Sequence, residues 1–215
     1  LYYQDDKYDE AIAAYKQVVE KCPGSEEAQM AGRDLKNIYI DRNQVDEYVA
    51  YAETQKGSIR VNTNERDSIT YLAAEKAYMR GDMQEAEKSM NAYLQGFPEG
   101  AYRLEAHYYL GVAAYEKKAA TTALGHLDKV LEYPAGRFSE EAMTMASGLA
   151  YETKDYARAL SLYKQLRGKT TSAERILMAR TGILRSANGL QDNNEVIAAA
   201  NELLADSKTA PELAL

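Results

Sequence analysis

The sequence predicts an all-α fold, an α-solenoid of about five to six antiparallel helix pairs of 36–38 residues each. The first observation behind this prediction is a residue position that returns at intervals of 36 to 38 along the chain. A fixed period in this range is typical of an array of small units, each of which contacts only its neighbours. The recurring position is occupied by Ala11, Ala86, Ala123 and Ala159, and by Tyr48 and Ile197 in two weaker copies.

Two further observations support the same fold class. A tyrosine precedes the recurring position by eight residues in four copies, as Tyr3, Tyr78, Tyr115 and Tyr151. Between the turns, apolar residues follow the spacing of three and four that predicts amphipathic helices, and no long strand-type alternation interrupts it. Proline and glycine then end the helices, as Pro23 and Gly24 do in the first copy.

The turn signals divide the chain into repeats. We assign a half repeat to 1–24, repeats to 25–66, 67–100, 101–137, 138–171 and 172–208, and the start of a further helix to 209–215. The main irregularity is the stretch 54–66, which we interpret as an extended loop or hinge with Ile59 and Val61 turned inward. Both ends resemble interrupted helices, so we expect a single array cut from a longer repeat protein. A targeting segment would then lie outside this chain.

Composition and charge restrict the kinds of partner. The chain has a net charge of −7 and therefore lacks the excess of basic residues that nucleic acid attracts. We expect no nucleic-acid partner. No apolar run approaches the roughly 20 residues of a transmembrane helix, so we expect no direct membrane insertion. Cys22 is the only cysteine, which excludes an internal disulfide. The 18 tyrosines are suited to half-buried contacts between helices and to the solvent-exposed walls of a binding groove.

The repeated positions resemble the tetratricopeptide repeat, a helix-turn-helix unit. The matching segments are Tyr8-x-x-Ala11-x-x-x-Tyr15 with Pro23, Met83-x-x-Ala86-x-x-x-Met90 with Pro98, Leu110-Gly111 with Ala123 and Leu127, and Tyr156-x-x-Ala159-x-x-x-Tyr163. The family's standard period is 34, so the additional residues are expected in the loops between units. The resemblance implies a right-handed superhelix and a non-enzymatic scaffold for a protein or peptide partner.

The tyrosine-rich turns are also similar in style to those of bacterial cell-envelope repeat proteins. Segments 7–11 and 155–159 carry this style. Examples of such proteins are the outer-membrane assembly lipoprotein with these repeats and the periplasmic repeat protein associated with Tol-Pal. This similarity favours a periplasmic or cell-envelope location, with the cytoplasm as the alternative.

In the family, the first helix of each pair lines the concave wall of the superhelix. By position, the resemblance places the following residues on or near that wall: Arg33, Asn37, Tyr71, Glu75, Tyr78, Tyr108, Val112, Tyr115, Glu116, Glu141, Tyr151 and Glu152. We interpret them as a groove in which tyrosines anchor a ligand and carboxylates select a cationic or polar segment. The alternative is that Tyr78, Tyr115 and Tyr151 pack between units. Only Arg33 and Asn37 match the family's carboxylate clamp, so we do not expect a clamp for a chaperone tail.

The sequence shows no set of residues that predicts catalysis, a cofactor site or a metal site. His107 and His126 fall on different helices without further ligands at close spacing, and Cys22 has no histidine nearby to act as a base. Two other interpretations stay open. In the first, the array is the substrate-positioning or regulatory region of a larger enzyme or signalling protein. In the second, the array self-associates through exposed end repeats.

Overall fold

All regular secondary structure in the described residues is helical. The computed structural model describes residues 7–55, 59–133 and 135–205, which form eleven helices. They are α1 Tyr8–Lys21, α2 Glu26–Asp41, α3 Val45–Thr54, α4 Thr63–Met79, α5 Met83–Gly96, α6 Arg103–Glu116, α7 Ala120–Leu131, α8 Ser139–Glu152, α9 Tyr156–Lys169, α10 Ala173–Gly189 and α11 Asn193–Ala205. The predicted fold class, an all-α array of helix pairs, is confirmed.

The helices form two compact units, an N-terminal unit that ends at Ala106 and a C-terminal unit that begins at His107. Helix α6 runs from one unit into the other. We call α2, α4, α6, α8 and α10 the A helices, and α1, α3, α5, α7, α9 and α11 the B helices. Each A helix is followed by its B helix after a short turn.

The turn from an A helix to its B helix has the same construction five times. One residue in each turn adopts left-handed backbone angles, and these residues are Asn43, Gly81, Lys118, Lys154 and Gln191. In the fourth copy the Lys154 amide donates to the Tyr151 carbonyl at 3.0 Å, and the Asp155 amide donates to the Ala150 carbonyl at 2.8 Å. The other four turns contain the same two hydrogen bonds. This pair of bonds defines a Schellman motif, which satisfies carbonyl groups that a helix end leaves unpaired.

The same turns fix the register of the recurring small residue. Its amide donates to the carbonyl four residues earlier, at the start of the B helix, as Ala159 does to Asp155 at 2.9 Å. In the last copy the equivalent amide belongs to Val196, which donates to Asp192 at 2.9 Å. The assignment of this position to Ile197 was therefore wrong by one residue, and Ile197 is 60% exposed. Two adjacent β-branched residues left the sequence pattern unable to choose between them.

The small residues serve the close packing that their recurrence predicts. Ala11, Ala86, Ala123 and Ala159 are each at most 2% exposed. In the C-terminal unit, a Cβ atom added at Gly182 of α10 would lie 2.5 Å from the ring of Tyr163 on α9. These helices approach so closely that no side chain fits at the contact.

The stretch 54–66 is shorter as a loop than the sequence predicts. Helix α4 begins at Thr63, because the Asn62 side chain caps it and accepts a hydrogen bond from the Glu65 amide at 2.9 Å. The third helix pair therefore starts four residues before the expected position 67. Ile59 and Val61 are half-buried against the core of the N-terminal unit, as predicted. Residues 56–58, Tyr3 and the helix start expected at 209–215 lie outside the described residues.

Replacing Lys154 by glycine is expected to raise the free energy of unfolding by about 0.5–1 kcal/mol. Glycine adopts the left-handed conformation without a Cβ clash, and this gain exceeds its larger loss of backbone entropy. Lys154→Ala keeps the Cβ atom and is the matched control, for which we expect no gain. Urea unfolding followed by circular dichroism measures the difference. A glycine variant no more stable than the alanine variant would contradict the role given to this turn.

Candidate ligand-binding surface

The A helices of the N-terminal unit carry five of the predicted groove residues. Arg33 and Asn37 lie exposed on α2. The neighbouring helix α4 carries Tyr71, Glu75 and Tyr78. The two helices are joined by ion pairs, one between Lys36 and Glu65 at 3.0 Å and one between Lys76 and Asp41.

Tyr71 is buried in the packing between successive helix pairs. It is 4% exposed, and its ring stacks on Tyr102 at a centroid distance of 4.6 Å. Its hydroxyl donates to Glu75 at 2.7 Å. The faces of this ring are used within the unit, while Glu75 and Tyr78 are half-buried.

A buried hydrogen-bond network lies beside this stack. The Tyr93 hydroxyl donates to the Asp67 carboxylate at 2.6 Å and accepts from the Tyr102 amide at 2.9 Å. The second Asp67 oxygen accepts from the Ala101 amide at 2.8 Å. Burial, and then the bond to Asp67, raise the pKa of Tyr93 above its ordinary value, so the hydroxyl stays protonated as a donor. The network ties the loop after α5 to the start of α4.

Tyr93→Phe is expected to lower the free energy of unfolding by about 1–3 kcal/mol, because it leaves a buried carboxylate oxygen and the Tyr102 amide without this partner. Tyr115→Phe removes the hydroxyl of a tyrosine that is 42% exposed, and it should change stability by less than about 0.5 kcal/mol. Chemical unfolding of both variants tests the difference. Equal effects would show that the network adds nothing to stability.

The aromatic stack recurs one repeat later, in the C-terminal unit. Tyr108 of α6 stacks on Phe138, the residue before α8, at a centroid distance of 4.0 Å. Tyr108 is half-buried. Tyr102 and Phe138 are structurally important residues that the sequence analysis missed. Their spacing of 36 residues was the signal that could have identified them.

A cluster of ion pairs joins the A helices α8 and α10. Arg175 of α10 bridges Glu140 at 2.8 Å and Glu141 at 2.9 Å, both on α8. The hydrogen bonds to these carboxylates raise the pKa of Arg175. The charge of Glu141, a predicted groove residue, is therefore balanced within the unit.

Two A helices, α6 and α8, end in the same Tyr-Glu pair. Tyr115 and Glu116 end α6, and Tyr151 and Glu152 end α8, 36 residues later. We call these two pairs the Tyr-Glu corners. Tyr115, Glu116 and Glu152 are exposed. Tyr151 is half-buried beside Tyr156, at a ring distance of 5.5 Å, and Val112 on α6 is also half-buried.

Two histidines meet between helices of the C-terminal unit. The Nδ1 atoms of His107 on α6 and His126 on α7 lie 3.0 Å apart. At this distance one nitrogen donates a proton and the other accepts it, so protonation of the accepting imidazole would place two N–H donors face to face and break the bond. Burial lowers the pKa of His126 below its ordinary value of 6.5.

We expect the pair to make stability fall as the pH drops below about 6.5, the ordinary pKa of histidine. The folded state holds fewer protons than the unfolded state there, because the folded pKa of His126 is the lower one. His126→Gln should remove this part of the pH dependence. Urea midpoints of both proteins between pH 5 and pH 8 measure it. Parallel curves for the two proteins would contradict the prediction.

The described residues were also searched for metal clusters and membrane spans. Residues 7–55, 59–133 and 135–205 hold no group of three or more metal-ligating His, Cys, Asp or Glu side chains. Within the same ranges, no helix has both the length and the apolar composition needed to cross a bilayer.

The fold and these surfaces define a helical-repeat protein. The family described as "Tetratricopeptide repeat" has a model that matches residues 1–25. This match and the repeated helix pairs support the interpretation of the chain as a tetratricopeptide-repeat protein. Proteins of this class generally serve as scaffolds for protein interactions. No curated protein matches the chain.

Several solved structures are similar to this chain. One is a putative kinesin light chain with nearly identical TPR-like repeats from Podosopora anserina, with 17% identity over 82% of this chain and 93% of that one, and a TM-score of 0.48. Pseudomonas aeruginosa pilF has 16% identity over 96% and 87%, with a TM-score of 0.48. A tetratricopeptide repeat protein from Parabacteroides merdae has 16% identity over 96% and 76%, with a TM-score of 0.43.

Proposed function

We propose that this chain is a non-enzymatic scaffold that binds a peptide or protein segment on the surface of its A helices. The observation that carries the proposal is the difference between the two ends of an A helix in the C-terminal unit. Near the start of α6, Tyr108 is held in a stack with Phe138. At its end, Tyr115 is 42% exposed and Glu116 is exposed. The same kind of surface returns at the end of α8.

The backbone below this surface is fixed before any ligand arrives. The carbonyl groups of Tyr115 and Tyr151 accept the amides of the left-handed residues Lys118 and Lys154, at 2.9 and 3.0 Å. A side chain on such a backbone loses little further freedom when it binds, and this lowers the entropic cost of association. Tyrosine also suits a binding surface, since its ring is apolar and its tip is polar.

The predicted groove residues contribute differently to this proposal. Tyr71 is omitted as an anchor because its ring is buried, and Glu141 is omitted as a selecting charge because Arg175 pairs with it. Arg33 and Asn37 give the N-terminal unit an exposed polar face on α2. The C-terminal unit offers tyrosines and carboxylates instead, so we assign the principal ligand surface to that unit.

Two finer expectations belong to the same proposal. The cell-envelope location rests on the tyrosine-rich turns alone and stays a prediction. Self-association through an end repeat is supported by α11, the last described helix, where Ile197 and Leu204 are 60% and 63% exposed. Its test is the concentration dependence of the oligomeric state.

Site-specific photocrosslinking tests the ligand surface. A photoreactive phenylalanine analogue at position 115 is expected to crosslink the partner, and the same analogue at position 133 is the matched control. Tyr115 and Tyr133 are equally exposed, at 42% and 43%, but Tyr133 lies in the loop after a B helix. Crosslinking in cell extract and in purified mixtures should therefore favour position 115. Equal or stronger labelling from position 133 would overturn the assignment of the surface to the A helices.

A further inference from the structure

A cavity of about 450 Å³ lies at the start of α8, in the C-terminal unit. It is lined by the loop before α8, the first turn of α8, the end of α9 and the start of α10. The polar and charged side chains among its lining residues are those of Arg137, Ser139, Glu140, Glu141, Lys169 and Arg175. The cavity therefore brings basic side chains to the N-terminal end of a helix.

This helix end has amide groups that its own cap does not use. The N-cap residue of α8 is Phe138, and no side chain caps the helix. The first amides of a helix have no partner within it, and they carry the positive end of the helix dipole. The Ser139 amide donates to the Gly136 carbonyl at 3.1 Å, which leaves the amides of Glu140 and Glu141 as donors for a ligand. Such a helix end favours an anion.

A buried hydroxyl in the same cavity is a second observation that points to a ligand. Ser139 lines the cavity and is only 6% exposed. Within residues 7–55, 59–133 and 135–205, no group forms a hydrogen bond with its side chain. Buried polar groups are nearly always paired, and an unpaired one costs free energy. A ligand that accepts a hydrogen bond in the cavity would satisfy this hydroxyl.

The guanidinium group of Arg137 is held at the cavity by an aromatic stack. It lies over the ring of Phe138, at 4.4 Å from the ring centroid, and Phe138 in turn stacks on Tyr108. Arg137 forms no ion pair with any described residue. A guanidinium stacked on a ring keeps its N–H edge for an oxyanion, which it can bind with two parallel hydrogen bonds.

The two carboxylates of the cavity are paired within the protein. Arg175 of α10 bridges Glu140 at 2.8 Å and Glu141 at 2.9 Å. The lining side chains carry three positive charges, on Arg137, Lys169 and Arg175, against the two negative charges of these glutamates. The cavity thus keeps a net positive charge, to which the dipole of α8 adds.

We propose that this cavity is a binding site for a phosphate monoester group. Such a group carries a charge of about −1.5 to −2 and three acceptor oxygens. One phosphate can therefore accept from the Ser139 hydroxyl, the Arg137 guanidinium and the amides of α8 together. A carboxylate has less charge and only two oxygens, so it would leave one of these donors unpaired. The site is separate from the ligand surface proposed at Tyr115, and neither proposal depends on the other.

NMR titration of the full chain, labelled with ¹⁵N, tests the site with methyl phosphate as the probe and acetate as the control. At constant ionic strength, methyl phosphate is expected to shift the amide resonances of Glu140 and Glu141 in a saturable way. We expect it to bind about tenfold more tightly than acetate, because it forms more charge-assisted hydrogen bonds. Equal affinity for the two anions, or unchanged resonances at both glutamates, would overturn the inference.

Matched variants assign the binding to named side chains. Arg137→Gln and Ser139→Ala are each expected to weaken binding of methyl phosphate about tenfold. Arg185→Gln removes another exposed arginine, on α10 about 15 Å beyond Arg175, and should leave the affinity unchanged. Circular dichroism confirms that each variant is folded. Affinities of the Arg137 and Ser139 variants equal to that of the unchanged chain would refute the site.

A phosphopeptide distinguishes the two sources of the group. The peptide has one phosphoserine in a neutral glycine-alanine background, and its affinity is compared with that of methyl phosphate. Binding at Glu140 and Glu141 about tenfold tighter than that of methyl phosphate supports the site and assigns the phosphate to a partner's side chain. Equal or weaker binding there supports the site and assigns it to a small phosphorylated molecule. A peptide and a methyl phosphate that both shift only resonances elsewhere in the chain would overturn the inference.

Discussion

The structure depends on one backbone constraint, the left-handed residue that ends each A helix. This residue lets the chain reverse direction while two hydrogen bonds satisfy the last carbonyl groups, as at Lys154. The constraint recurs at intervals of 36 to 38 residues. It therefore fixes where α3, α5, α7, α9 and α11 begin, which residue takes the recurring position of each, and which side chains stand at the end of the A helix. Loop lengths between repeats vary without disturbing this register.

The proposed ligand surface depends on the same constraint. The last residue of an A helix lies two positions before the left-handed residue of its turn. In α2 this residue is Asp41, which an ion pair with Lys76 engages within the repeat array. In α6 and α8 it is a glutamate, and the equivalents of Lys76 are Leu149 and Ser186. The same backbone position thus carries an ion pair in one unit and an exposed glutamate in the other.

Much of the fold could be predicted from the sequence because the repeat supplies several independent copies of each signal. Four alanines in register located the B helices, and all four are buried. The sequence pattern was a less reliable predictor where a single repeat had to be interpreted without help from the others. Val196 and Ile197 are adjacent and both apolar, and the structure distinguishes them by the backbone hydrogen bond from Val196 to Asp192 and by the exposure of Ile197. The early start of α4 depends on the Asn62 cap, which a stretch rich in polar residues concealed.

The candidate site was harder to predict, because a place on an A helix does not by itself determine whether a side chain is exposed. Tyr71 and Tyr115 both stand on A helices, yet Tyr71 is 4% exposed and Tyr115 is 42% exposed. The difference arises from Tyr102, an aromatic residue from the following loop that covers Tyr71.

Charge adds a constraint that a sequence pattern does not show. A carboxylate at a helix C-terminus destabilises the free protein by about 0.3–1 kcal/mol, unless a cation is present. At Asp41 the cation Lys76 is part of the chain. Among the described residues, no ion pair engages Glu116 or Glu152. In the proposed function, a basic group of the partner at Glu116 or Glu152 would offset this unfavourable interaction with the helix dipole.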